Sequence, residues 1–232
     1  MGFYSRQIFP RLCDWVMSDP RMAALRKETL AEVGGEVLEV GFGTGLNLPH
    51  YPSGVRRITT VDPNTGMGKL ARRRITESGI VVDQRVLGGE QLPFGDGLFD
   101  CVVSTWTLCS IPEIERALAE VYRVLRPGGR FVFLEHGLSD DPTVRRWQRR
   151  LNPLQRLVGE GCRLDLDVPA LVRSQPFADC TSGRVPAGAS PPRVTPQPTL
   201  STLPSNTRPG NRSNATRTRL PGATLPSWFS RR

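Results

Sequence analysis

Short apolar runs alternate with longer amphipathic segments along most of the chain. Strand-like runs occur at residues 36–40, 57–61, 80–86, 99–104 and 130–135. Helical spacing of apolar residues is clearest between them, at residues 67–78 and 113–125. Regular alternation of strands and helices requires right-handed crossovers, so the sequence predicts an α/β fold in which helices cover both faces of a mostly parallel sheet.

The segment before the first strand, residues 3–30, is also helical in pattern. Ile8, Leu12 and Val16 form one stripe, and Asp19-Pro20 separates this helix from a second one. An apolar stripe normally packs on a core, yet nothing in this segment is needed to complete the sheet. A lid over a substrate cleft is therefore the alternative interpretation.

The chain after the fifth strand is less regular. Helical patterns occur at residues 143–150, which include Trp147, and at residues 168–174, with a poorly patterned stretch between them. From residue 181 onward the chain contains nine prolines and no periodic apolar spacing. Such a composition buries too little surface to offset its ordering entropy, so we expect a domain at residues 1–179 and a disordered tail at residues 180–232.

The charge of the chain lies almost entirely in this tail. It holds eight arginines and no acidic residue, which leaves 23 basic and 22 acidic residues before it. The pI near 10.1 therefore says nothing about a basic face on the domain, and a nucleic-acid role would depend on the tail alone, so we expect no specific nucleic-acid partner. The abrupt loss of acidic residues is typical of a shifted reading frame, and a natural extension that binds anionic partners is the alternative.

The cysteines and the lengths of the apolar runs indicate the cellular compartment of the protein. The five cysteines show no CxxC pair and no ligand spacing with either histidine, so we predict no metal site and a reducing, cytoplasmic environment. Cys109 and Cys162 are interpreted as small buried apolar residues rather than nucleophiles. No run reaches the ~18 apolar residues of a membrane span, and the N-terminus does not look like a signal peptide.

The first strand ends in a glycine loop, Gly41-Phe42-Gly43-Thr44-Gly45. Glycines permit unusual φ angles and let a ligand approach backbone N–H groups. Leu46 stands where a dinucleotide-binding GxGxxG motif has its third glycine, which disfavours a nicotinamide dehydrogenase. Glu39 and Asp62, at the ends of the first two strands, favour another nucleoside cofactor. The alternatives are a Glu39 carboxylate satisfied by loop amides and an Asp62 in an ordinary turn.

Several segments together resemble the class I S-adenosylmethionine-dependent methyltransferases. They are residues 38–45, Val61-Asp62-Pro63, Leu92-Pro93-Phe94 with Phe99-Asp100, and residues 124–129. Leu108-Cys109-Ser110, Leu134-Glu135-His136 and Gly161-Cys162 are similar to the branch that contains animal thiol methyltransferases and bacterial phospholipid and quinone methyltransferases. The resemblance implies a Rossmann-like three-layer sandwich and S-adenosylmethionine as the cofactor.

The resemblance also implies roles for individual residues. Glu39 would receive the methionine ammonium directly or through water, and Asp62 would bind the ribose hydroxyls. The glycines Gly41, Gly43 and Gly45 would lie against the cofactor, and Glu90, Gln91 and Leu92 would lie near the adenine. The family often has an acidic residue at the position of Gly88, which this chain lacks.

One residue is a candidate for acid–base chemistry on the methyl acceptor. Methyl transfer needs alignment and a dry site, but a neutral thiol or amine must also lose a proton. His136, at the end of the fifth strand, faces the same edge as Trp106 and Cys109, so it is the candidate catalytic base or acceptor-orienting group, with a structural role as the alternative.

The predicted function is methyl transfer to a small-molecule acceptor, a thiol, an amine lipid or a quinol, by a monomer with peripheral membrane contact. The alternative is an inactive or cofactor-binding remnant whose arginine-rich tail binds anionic partners. Related methyltransferases continue into an antiparallel hairpin beside the fifth strand. We expect that hairpin to be missing here, which would leave residues 131–134 as an exposed apolar edge.

Overall fold

The sheet has helices on both sides, as the alternating pattern predicts. The computed structural model describes residues 2–178 and 193–196. The strands are β1 Val37–Val40, β2 Arg57–Val61, β3 Val81–Arg85, β4 Phe99–Thr105, β5 Leu125–Leu134, β6 Phe177–Ala178 and β7 Arg193–Pro196. Their order in the sheet is β3-β2-β1-β4-β5-β7-β6, with β1 to β5 parallel. The predicted mostly parallel α/β fold is confirmed.

The helices cover both faces of this sheet. They are α1 Phe9–Met17, α2 Pro20–Leu30, α3 Thr65–Ser78, α4 Ile114–Val124, α5 Pro142–Val158 and α6 Val168–Arg173, with short helical turns at Tyr4–Ile8, Leu48–His50 and Leu108–Ser110. One core cluster joins the sheet to α4 and α6, and the other joins it to α2 and α3. Every residue of β1 is therefore buried, as expected for a central parallel strand.

The strand register aligns the carboxyl ends of the parallel strands that carry the candidate site. Val40 pairs with Val61 of β2 and with Ser104 of β4, and Thr105 pairs with Leu134 of β5. The carboxyl ends of β1, β2, β4 and β5 therefore lie along one edge of the sheet, where parallel α/β folds bind their ligands.

Helix α5 is longer than its sequence pattern predicts. It continues to Val158 through the internal Pro153, although proline removes one backbone donor. Asn152 is buried in the helix, and its Oδ1 atom accepts a hydrogen bond from Leu164 N–H at 2.9 Å. This tertiary contact anchors the second half of the helix, which the sequence leaves unpatterned.

The expectation that β5 lacks an antiparallel neighbour is wrong. In β7, Val194 and Arg193 pair antiparallel with Phe131 and Val132 of β5, and β6 pairs antiparallel with the other edge of β7. Pairing needs only backbone donors and acceptors, so a four-residue strand with a terminal proline can supply it without a long apolar pattern. This strand lies beyond the predicted domain boundary at residue 179; the rest of the predicted tail lies outside the described residues.

Candidate active site

One cavity of about 580 Å³ opens at the carboxyl edge of the sheet. Its walls come from the glycine loop after β1, the loops after β2 and β4, the end of β5, helix α1 and the C-terminal end of α5. Small-molecule and cofactor pockets typically enclose 300–1,000 Å³. This cavity is therefore large enough for a nucleoside cofactor together with a small second ligand.

The three glycines of the loop have positive φ angles but different surroundings. Gly41 and Gly43 line the cavity with φ angles of 80° and 57°. No atom lies within 4 Å of a Cβ built on Gly43, whereas a Cβ on Gly41 would collide with Thr107. Gly45 is not in the cavity wall; its Cβ position faces Leu48 at 3.1 Å and so packs the loop on the core.

Asp62 ties this loop to the end of β2. Its Oδ2 atom accepts Gly43 N–H at 2.8 Å, and its Oδ1 atom accepts Asn64 N–H at 2.8 Å. Burial raises the pKa of the carboxyl group, although both backbone donors oppose that shift. Each oxygen keeps a further lone pair, and Asp62 lines the cavity, so the carboxylate can accept hydroxyl groups of a ligand.

Glu39 lies beneath the loop and is not in the cavity wall. Its oxygens accept hydrogen bonds from Asn47 Nδ2 at 2.8 Å and Tyr51 Oη at 2.7 Å. Complete burial raises the pKa of Glu39 to about 7. The structure thus gives Glu39 two side-chain partners, not the loop amides of the alternative interpretation. One of these partners, Asn47, lines the cavity, so Glu39 contacts the cavity wall through this hydrogen bond.

The predicted adenine residues separate in the structure. Glu90 lines the cavity, Gln91 is exposed outside its wall, and Leu92 belongs to the core, with its N–H donating to Glu120 at 2.7 Å. A Cβ built on Gly88 would collide with Glu90 Oε2. The Glu90 carboxylate therefore occupies the space where a side chain at position 88 would begin, and it supplies an acidic group there.

Helix α1 forms one wall of the cavity, as the lid interpretation predicts. Leu12, Cys13 and Val16 line the cavity from this helix. Asp14 Oδ1 accepts Arg74 Nη1 at 2.7 Å and Thr44 Oγ1 at 2.6 Å, which ties α1 to α3 and to the glycine loop. Helix α1 is thereby held against two other elements that contribute residues to the cavity wall.

A second group of side chains lies at the end of β5. His136 Nε2 is 3.2 Å from Cys162 Sγ, which is 3.5 Å from Cys109 Sγ, and all three residues line the cavity. Hydrogen bonds from the Cys109 thiol and from His136 lower the pKa of Cys162, and the contact with Cys162 raises the pKa of His136. Cys109 is buried, as the sequence-based interpretation expects, whereas Cys162 is partly exposed, and each thiol has a polar partner in this group.

Glu135 fixes the position of Cys109 in this group. Its Oε1 atom accepts N–H groups of Thr107 at 2.6 Å and Leu108 at 2.7 Å, at the start of the helical turn that carries Cys109. Burial raises the pKa of Glu135 to about 7. The carboxyl group thus joins the loop after β4 to the end of β5.

Comparison with known proteins identifies the family. The profile of the family described as "Methyltransferase domain" matches residues 38–133. The human thiol S-methyltransferase TMT1A is 40% identical over 161 residues, which are 64% of this chain and 66% of that protein. The phosphatidylethanolamine N-methyltransferase of Cereibacter sphaeroides is 36% identical over 139 residues, 58% of this chain and 68% of that protein. The chain belongs to the S-adenosylmethionine-dependent methyltransferases.

The fold agrees with this membership. The crystal structure of the YcgJ protein from Bacillus subtilis superposes with a TM-score of 0.57 at 26% identity, covering 69% of this methyltransferase and 70% of that chain. The match to TMT1A spans just under two thirds of that relative's length. The resemblance deduced from the motifs is confirmed for the family and for the fold class.

The methyltransferase cavity also contains a residue that sequence reasoning missed. Arg26 of α2 is 4% exposed, and its guanidinium group lies 4.6 Å from the centre of the Trp106 ring. Nη1 donates to Met17 O at 2.9 Å, and Nε has no partner among the residues that the structure describes. Burial lowers the pKa of Arg26 to about 10. Arginine is usually exposed, so only the tertiary structure shows that this cation lines the cavity.

Proposed function

We propose that the protein transfers the methyl group of S-adenosylmethionine to a small-molecule acceptor, a thiol in the first instance. The observation that carries the proposal is a single cavity with two chemically different sides. One side has the glycine loop and Asp62, and the other has His136 with two thiols. The relatives' names, thiol S-methyltransferase and phosphatidylethanolamine N-methyltransferase, support a thiol or an amine lipid as the acceptor, and a quinol is the alternative that quinone-biosynthesis methyltransferases among the relatives support.

The polar groups of the first side fit the parts of the cofactor. Asp62 binds the ribose hydroxyls, and Glu90 accepts a hydrogen bond from the adenine amino group. Arg26, a buried cation with an unpartnered donor among the described residues, pairs with the carboxylate of the methionine half. Asn47 lies over the buried Glu39, and together they receive the ammonium group.

The second side orients the acceptor and takes its proton. S-adenosylmethionine bound on the first side would supply an electrophilic methyl group, which the acceptor sulfur would take as the sulfonium bond breaks and S-adenosylhomocysteine is released. His136 accepts the thiol proton, while Cys162 holds the imidazole ring through its 3.2 Å contact. Most of the rate enhancement comes from alignment and exclusion of water, since no covalent intermediate is needed.

Transfer of a labelled methyl group tests this proposal. The full chain is incubated with S-adenosylmethionine labelled at the methyl group and with separate panels of small thiols, amines and quinols. We expect label in a thiol product and a loss of turnover in His136→Ala with cofactor affinity nearly unchanged. A chain that binds the cofactor but methylates no acceptor would support the alternative of a binding-only remnant.

The ribose assignment has its own test. Asp62→Ala removes charge-assisted hydrogen bonds worth about 1.5–3 kcal/mol each, so calorimetry should show cofactor affinity reduced by at least roughly 10-fold, and by about 150-fold or more at the upper end of that range. Asp83→Ala is the matched control, because Asp83 pairs with Arg85 at the surface of β3. Equal affinities in the two variants would contradict the assignment.

Peripheral membrane contact is part of the proposal because α5 has an exposed apolar stripe. Its exposed members recur at helical spacing: Val144, Trp147, Leu151, Leu154 and Val158. Five arginines lie on the same helix, at positions 145, 146, 149, 150 and 156. A basic amphipathic helix of this kind binds anionic lipid surfaces. Within the described part of the chain, no helix is long and apolar enough to cross a membrane.

A further inference from the structure

Three potential metal ligands meet on the acceptor side of the cavity. Cys109 follows β4, His136 follows β5, and Cys162 follows α5. The two sulfur atoms and an imidazole nitrogen all lie within 4.8 Å of one another. Because the three residues come from separate elements, their spacing in the sequence resembles no metal-binding motif, and the sequence-based prediction of no metal site overlooked the group.

We propose that Cys109, His136 and Cys162 bind a thiophilic divalent cation, with Zn²⁺ as the best fit. Two thiolates and one imidazole form a common zinc donor set. Tetrahedral bonds of about 2.3 Å to sulfur and 2.0–2.1 Å to nitrogen place neighbouring ligand atoms roughly 3.5–3.8 Å apart. The two separations that involve Cys162, 3.5 Å to Cys109 Sγ and 3.2 Å to His136 Nε2, are close to these values, and the separation between Cys109 and His136 is at most 4.8 Å.

The backbone around the two cysteines is already fixed. Arg163 N–H, next to Cys162, donates to Cys109 O at 3.0 Å, and Cys162 N–H donates to Gly159 O at 3.1 Å. Glu135 holds the turn before Cys109 through the N–H groups described above. The ligands therefore need little reorganisation to bind a cation, which favours a formed site over an accidental approach.

The position of the site gives it a function in the proposed reaction, and this part of the inference rests on that reaction. Zinc sites with three protein ligands and an open fourth position are the catalytic type. All three ligands line the cavity, so a fourth ligand could reach such a cation from the acceptor space. A cation held by these three residues would favour the thiolate form of an acceptor thiol at the open position, whose proton would pass to solvent, and so would supply the nucleophile for the methyl carbon. His136 is then a ligand rather than the proton acceptor.

Metal analysis and cobalt spectroscopy of the full chain test the site. Protein purified under reducing conditions should retain about one zinc ion per chain, as one Cys₂His site requires. After zinc removal, Co²⁺ should give thiolate-to-cobalt charge-transfer absorption and the intense visible bands of tetrahedral cobalt. Cys109→Ser and Cys162→Ser should each lose these bands. Cys101→Ala should retain them, because Cys101 is a buried cysteine of β4 outside the group.

The wild-type spectrum decides the proposal even if a variant fails to fold. Reduced wild-type protein that holds no zinc and gives no cobalt bands overturns it, as do bands that persist in both serine variants. Calorimetry with S-adenosylmethionine on the same samples separates this inference from the proposed function. Cofactor binding and thiol methylation that survive complete metal removal at full rate overturn the role of the metal alone. Zinc binding at the three ligands without cofactor binding supports the site and contradicts the proposed function.

Discussion

At Gly43, both the backbone conformation and the adjoining cavity favour a residue without a side chain. Its φ of 57° disfavours any side chain, and the space beside its Cα is open to the cavity. Gly79, the residue after α3, has a similar φ of 67° and equally open surroundings, but it is exposed and outside the cavity wall. Comparing the same substitution at the two positions therefore distinguishes the effect of backbone strain from the effect of a side chain in the cavity.

We predict that Gly43→Val and Gly79→Val both lower the free energy of unfolding, by about 1–2 kcal/mol for a side chain in the left-handed region. Only Gly43→Val should abolish S-adenosylmethionine binding in calorimetry, because its branched side chain would enter the cavity. Tight binding by Gly43→Val would show that the loop does not touch the cofactor.

Glu39 should make stability depend on pH. Burial raises the pKa of Glu39 to about 7, so the folded protein holds this proton where the unfolded chain has lost it. The stabilisation is fully present below the unfolded pKa of about 4.3 and is lost as pH rises through about 7. Glu39→Gln removes this titration. As pH rises from 5 to 8, the free energy of unfolding of the variant should therefore increase relative to that of wild type by an amount on the order of 2 kcal/mol.

Urea unfolding of both proteins at the two pH values measures this difference. Glu115→Gln, at an exposed carboxylate of α4, is the matched control and should follow the wild-type profile. Parallel profiles for wild type and Glu39→Gln would mean that Glu39 titrates normally in the folded protein.

Residues of the candidate site could be predicted from the sequence where they directly follow the end of a strand. Asp62 and His136 follow strand ends, which a parallel sheet brings to one edge, so both could be placed in advance. Arg26 could not, because its burial depends on how α2 packs beside Trp106. Gln91 and Leu92 lie in the same loop as Glu90, and spacing along a loop does not determine the direction of each side chain.

At the scale of elements, the alternating pattern predicted all five parallel strands, but it failed where tertiary contacts dominate. Helix α5 passes through Pro153 because the buried Asn152 anchors it. Its apolar stripe at residues 144–158 faces outward, which an apolar spacing by itself would assign to a core. That outward orientation is the physical basis for the proposed membrane contact.

We predict that the full chain sediments with vesicles rich in anionic phospholipid and that added salt weakens this binding. Trp147→Ser should reduce the bound fraction several-fold, because Trp147 is 54% exposed within the stripe. Val86→Ser is the control, since Val86 is 66% exposed after β3, outside α5. Equal loss in both variants, or equal binding to neutral vesicles, would contradict a specific role for α5.

At the scale of the whole molecule, the closing strand β7 decides whether the sheet has an unprotected apolar edge. The buried residues Phe131 and Val132 of β5 pair with Val194 and Arg193, so removing residues 180–232 exposes that edge, whereas truncation after residue 198 leaves the pairing in place. We predict that the longer deletion lowers Tm by about 2–8 °C, as the loss of roughly 1–2 kcal/mol implies for a domain of this size, and increases light scattering. Val194→Pro in the full chain should have the same direction of effect, because it removes a backbone donor from the strand paired with β5. If both truncated chains unfold at the same temperature and remain equally dispersed, β7 does not protect β5, and the stability of the sheet must come from its five parallel strands and their helices.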